Sequence, residues 1–176
     1  MRNGLKDTIL DAAMRVLLRE GLRGWSVDLV AKEAGSSKGL VHYHHRTRQA
    51  LLREVAARLG AGHWEGRLQA LDKASGAAAL DRLWEALVEE VRSGAWAAIL
   101  SLRTERGLLE SMPDDSARLK SLGAALARAL DLSPPLPDET RLVAANLDGL
   151  ELMLLGGAGE APTREAYHRL WLAVLP

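Results

Sequence analysis

The sequence predicts an all-α protein of about nine helices: a three-helix N-terminal domain over residues 1–58 and a helical bundle over 59–176. Three observations carry this. Ala and Leu dominate the 176 residues while Phe is absent. Apolar residues recur three and four apart almost everywhere, and strict alternation is hard to find. Gly and Pro cluster at intervals that cut the chain into helix-sized pieces. Cysteine is absent, which excludes disulfides, thiolate metal sites and a cysteine nucleophile. No apolar run approaches the roughly 18 residues of a membrane span. The opening MRNGLKDTIL lacks the apolar stretch of a secretory signal. A cytoplasmic protein with no membrane partner and no cofactor is expected.

The first helix is expected from about Gly4 to Glu20, with Leu5, Ile9, Ala12, Ala13, Val16 and Leu17 as its apolar stripe. Gly21 and Gly24 end it. Ser26 is a good N-cap for a second helix, Val27–Ala34, which turns Val27, Val30, Ala31 and Ala34 inward. After Ala34-Gly35-Ser36-Ser37 comes a third helix to about His44. Thr47 caps a long fourth helix whose buried face is Leu51, Leu52, Val55, Ala56 and Leu59. Five more helices follow near 77–93, 95–111, 114–131, 137–156 and 163–175. They are separated by Ser75-Gly76, Gly94, Met112-Pro113-Asp114, Ser133-Pro134-Pro135 and Gly156-Gly157-Ala158-Gly159.

The second and third helices, joined through Gly35, have the form of a helix-turn-helix, whose second helix enters the major groove of DNA. Ala31 and Ala34 supply the small residues needed where the helices cross, and Gly35 permits the sharp turn. Ser36, Ser37 and Lys38 place short polar and basic groups at the start of the second helix, where exposed N–H groups and the helix dipole suit phosphates and base edges. Charge agrees. Residues 1–58 carry 11 Lys/Arg against 6 Asp/Glu, whereas 59–176 carry 12 against 17, so a zero net charge hides a basic N-terminal third.

Residues Thr8–Leu52 resemble the DNA-binding domain of the TetR family of transcriptional regulators. The matching pieces are ILDAA at 9–13, Glu20-Gly21, Ser26-Val27, Val30-Ala31, Ala34-Gly35, Ser37-Lys38-Gly39, Val41-His42-Tyr43-His44 and Thr47-Arg48-Gln49-Ala50-Leu51-Leu52. The resemblance implies phosphate contacts from Ser26, His42, Thr47 and Arg48. It implies base-edge contacts from Ser36, Ser37, Lys38, Leu40 and Tyr43, with Gly39 part of the same DNA-binding motif. Leu18 and His45 stand where the family usually has Phe, Arg46 where Pro or Gly is common, and Trp25 where a small polar residue is frequent. At His45 either the imidazole is buried with a hydrogen-bond partner or the local packing differs.

The resemblance also implies a C-terminal bundle that binds ligand and dimerises. Its last two helices would form a four-helix interface with a second copy, here through Leu147, Leu150, Met153, Leu154, Tyr167, Leu170, Trp171 and Val174. A small-molecule pocket would draw on Trp64, Trp84, Trp96, Arg103 and Asn146. The implied function is a repressor that binds a palindromic double-stranded DNA operator as a homodimer and is released by a small-molecule effector. Control by a protein partner, or no effector at all, is the alternative. A helical metal-dependent enzyme using the histidine cluster is more remote: His42 and His45 lack a third ligand, and His63 and His168 are isolated. No catalytic set and no metal site are therefore assigned.

Overall fold

A computed structural model describes residues 4–105, 116–133 and 137–175 of the chain. Among these residues there are nine helices and no strand. They are α1 (Leu5–Gly24), α2 (Val27–Glu33), α3 (Lys38–His44), α4 (Arg48–Asp72), α5 (Ala77–Arg92), α6 (Ala95–Arg103), α7 (Ser116–Leu130), α8 (Pro137–Leu155) and α9 (Glu160–Val174). None is long and apolar enough to cross a membrane. The predicted end of the sixth helix and the breaks at Met112-Pro113-Asp114 and Pro134-Pro135 lie outside the described residues. The chain divides into two compact units, residues 1–61 with 94–113, and residues 62–93 with 114–176.

Unit one is built on the stripe of α1. Ile9, Ala12, Ala13 and Val16 are wholly buried, and Leu17 nearly so. Leu5, at the open end of the stripe, is exposed. Gly21 departs from helical geometry at φ 65°, ψ 174°, and the chain then makes one more turn to Gly24. Trp25 folds back into the core, where its indole N–H donates to the Ala13 carbonyl at 3.0 Å. A buried indole needs such a partner, and a small polar residue would leave that space unfilled. α4 contributes Leu51, Leu52, Val55, Ala56 and Leu59, all buried as their spacing predicts. α6 packs on α1 and belongs to this unit. Its sequence position alone groups it with the helices after residue 59. Trp96, Ala98, Ile99 and Leu102 make it apolar enough to be drawn into a core formed by residues far away in sequence.

Unit two gathers α5, α7, α8 and α9 with the later turns of α4. Trp84, Tyr167 and Trp171 form an aromatic chain, with ring centroids 5.3 and 5.7 Å apart. The Tyr167 hydroxyl donates to the Leu80 carbonyl at 2.6 Å. Leu83, Leu87, Leu122, Leu126, Val143 and Leu147 fill the space around them. α7 and α8 meet at Gly123, where a Cβ would lie 2.7 Å from Thr140 Oγ1. Only a residue without a side chain allows that approach. A cavity of about 30 Å³ lies beside this contact, lined among others by Gly123, Leu126, Thr140, Val143 and Trp171. That is room for roughly one water molecule.

Candidate nucleic-acid interface

The module comprises α2, a four-residue turn and α3. Ser26 caps α2 by accepting from the Leu29 N–H at 3.3 Å, and Ser37 caps α3 by accepting from the Leu40 N–H at 3.2 Å. Between them the chain turns on Gly35, at φ 61°. The Gly35 N–H donates to the Lys32 carbonyl at 3.2 Å and the Ser36 N–H to the Ala31 carbonyl at 2.9 Å. This pair of bonds is the Schellman motif, which needs a left-handed residue between them. Val30 and Ala31 are buried on α2, with Val27 and Ala34 partly so. On α3 Val41 is the buried anchor.

Every other residue from Ser37 to Tyr43 faces solvent. Leu40 is 44 % exposed and Tyr43 79 %, a large apolar display for a helix of seven residues. Lys38 Nζ lies 2.9 Å from Asp28 Oδ2, both side chains mostly in water. A pair so exposed is worth little and yields readily to a phosphate. Ser36 Oγ is buried and has no hydrogen-bond partner among the described residues. Thr47 accepts from the Ala50 N–H at 3.0 Å and so caps α4. Arg48 sits with its guanidinium 5.5 Å from the Trp25 ring centroid and 3.4 Å from Glu105. His42 and Arg46 are exposed.

His45 answers the question that its place in the sequence raises. The ring is buried, with Nδ1 3.2 Å from Glu54 Oε1. Burial lowers its pKa against the raising pull of Glu54, with Lys6 and His44 lowering it further. The imidazole thus fills the site as a neutral, hydrogen-bonded plug. His42 faces solvent while His45 faces the core, so the two do not share a face.

The residues singled out in the second half are distributed widely. Trp64 and Trp84 lie in the core of unit two. Trp96 and Arg103 belong to unit one, with the guanidinium 5.6 Å from the ring centroid. Asn146 is exposed and donates to the Leu142 carbonyl at 2.8 Å. Leu147, Leu150, Tyr167 and Trp171 are buried in the core of unit two. Leu154, Leu170 and Val174 are half-buried against that core, and Met153 is exposed. Leu142, Leu152, Leu155 and Leu172 also stand in solvent.

Sequence reasoning missed a buried polar cluster in unit two. Arg67 on α4 is 1 % exposed and Glu151 on α8 wholly buried. Arg67 Nη2 donates to Glu151 Oε2 at 2.9 Å and to Asp148 Oδ1 at 3.0 Å. Its guanidinium lies 5.6 Å from the Trp64 ring centroid. His63 Nδ1 is 2.7 Å from Glu90 Oε1. Burial pushes the Glu151 carboxyl up to about 8, over the opposing pull of Arg67, and lowers the pKa of the His63 imidazole. A signal was available: Arg67 and Glu151 interrupt apolar stripes, Trp64-Leu68-Leu71 and Leu147-Leu150-Leu154, at helical spacing.

Together these features define a helix-turn-helix protein with a solvent-facing recognition helix. Residues 9–55 match the family model described as bacterial regulatory proteins, tetR family. Solved structures resemble it over nearly its whole length. EbrR, a multidrug binding protein solved with ethidium, is 26 % identical at TM-score 0.68, over 95 % of this chain and 98 % of that one. Other EbrR structures contain imidazole and malachite green. A TetR-family member from Streptomyces coelicolor A3, SCO1917, is 25 % identical at TM-score 0.64, over 96 % and 98 %. A structural-genomics target from Rhodococcus sp. RHA1 shares the fold at TM-score 0.75 with 18 % identity, over 97 % and 94 %. Among curated proteins none matches.

Proposed function

We propose that the protein is a sequence-specific repressor that binds a two-fold operator as a homodimer and is released by a small molecule. The observation that carries the DNA reading is α3, anchored by Val41 alone and offering Ser37, Lys38, Gly39, Leu40, His42 and Tyr43 to solvent. Ser26, His42, Thr47 and Arg48 contact phosphate, setting position, while Ser37, Lys38, Leu40 and Tyr43 read bases. The Ser36 hydroxyl is buried and takes no part in the reading. Dimerisation through α8 and α9 is supported by Leu152, Met153, Leu155 and Leu172, the last 82 % exposed. A second copy would remove these from water. The small-molecule reading draws on EbrR, whose ligands include ethidium and malachite green. An effector acts by binding one conformation better than another.

Selection from random duplexes, followed by gel shift in a salt series, tests this. The expected result is an inverted-repeat site whose log affinity falls with log salt by about 0.9 per phosphate neutralised. Tyr43→Ala should weaken that site about tenfold or more while leaving helicity intact. A flat salt profile would sink the DNA reading. Unchanged operator affinity with ethidium, malachite green and a broader ligand panel would favour a regulator without an effector.

A further inference from the structure

We propose that His63, Glu90 and Glu151 form a binding site for a divalent transition-metal ion of the zinc class, with Arg67 holding Glu151 in position. The inference concerns unit two alone and does not depend on the DNA reading.

Each of the three residues offers one ligand atom, and these atoms lie within 4.8 Å of one another. Donors in a tetrahedron around one zinc ion sit about 2.0–2.2 Å from it, hence about 3.3–3.6 Å apart. Side-chain adjustment of up to about 1.5 Å closes the set. The residues come from three helices, α4, α5 and α8, so backbone packing supplies the convergence.

Glu151 carries the second, independent observation. Its side chain is wholly buried, Oε2 is held by Arg67, and Oε1 has no hydrogen-bond partner among the described residues. A buried carboxylate oxygen left without a partner is costly, and a metal ion would satisfy it. Charge points the same way. Glu90, Asp148 and Glu151 bring three carboxylates to one place, and Arg67 supplies one fixed positive charge. One imidazole nitrogen with two carboxylate oxygens suits a transition metal better than magnesium or calcium, which take oxygen alone. The Arg67 bridge to Glu151 and Asp148 fixes a ligand from outside the set, as supporting hydrogen bonds do around metals.

The experiment is titration of the chelator-stripped full chain with Zn2+ against a competing chelator, with Co2+ absorption as a second probe. One Zn2+ per chain is expected, with a Co2+ spectrum of nitrogen and oxygen ligands. His63→Ala and Glu90→Gln, which leave the Arg67–Glu151 pair in place, should each weaken binding about tenfold or more. Their circular dichroism should match the unmodified chain. Zn2+ should raise the melting temperature of the parent and much less that of either variant. His168→Ala, which removes an exposed imidazole on α9, should change nothing. The proposal is overturned if uptake is not stoichiometric, if both cluster variants bind as the parent does, or if His168→Ala abolishes binding.

Discussion

The two units place their polar chemistry oppositely. In unit one Lys38 and Tyr43 of α3 stand in water over an apolar support, and the pairing of Lys38 with Asp28 is itself in water. In unit two Arg67 and Glu151 lie inside the core, joined across 84 residues of sequence. Surface groups of the first kind are free for recognition because the fold does not rest on them. Groups of the second kind are tied to stability whatever else they do.

Arg67→Met is the sharpest way to break this comparison. It strands Glu151, and removing one partner of a buried pair costs about 3–5 kcal/mol, read as a fall in urea midpoint. Adding Glu151→Met should recover much of that loss, since a packed apolar pair replaces a buried ionic one at little cost. Next is Gly123→Ala. With Thr140 Oγ1 at 2.7 Å from the new Cβ, the Thr140 side chain must rotate or α7 and α8 must part, at about 1–3 kcal/mol. In unit one, Trp25→Phe keeps an aromatic ring but removes the donor to Ala13 and part of the buried volume, at about 1–2 kcal/mol or more.

A pH series sharpens the contrast further. Burial lowers the folded-state pKa of His45, facing Glu54 on α4 and Lys6 on α1 with His44 beside it. The unfolded chain therefore binds the proton more readily. The stability contributed by His45 is fully present above about pH 6.5 and is lost as pH falls through its lowered folded value. His45→Phe should flatten that part of the stability–pH curve; an unchanged slope would mean that the ring is not held neutral. Smallest is Lys38→Ala, expected to leave the urea midpoint unresolved from the parent while weakening DNA binding.

The same contrast governs how much the sequence revealed. Ser26, Ser37 and Thr47 were legible as caps because a cap bonds the N–H three residues on, and Gly35 because a Schellman turn is local. The burial of Ile9, Val16, Leu52 and Val55 followed from period alone. The placement of α6 on α1 did not, because an apolar nine-residue helix fits many cores equally well. The polar cluster was hidden for a like reason: His63 looks isolated until α5 brings Glu90 beside it, and Glu151 reads as one acid in LDGLELMLL until Arg67 reaches it. Trp25 and His45 departed from the family pattern, and each keeps its place with one hydrogen bond.

The Gly35 turn has a consequence for how this protein can change. Two main-chain hydrogen bonds and the Val41 anchor fix where α3 begins and how it is presented. The solvent-facing letters of that helix are therefore nearly free of the fold. Substitutions at Lys38, Leu40, His42 or Tyr43 can accumulate without an intervening unstable form, so the surface that α3 presents can drift while the scaffold stays still.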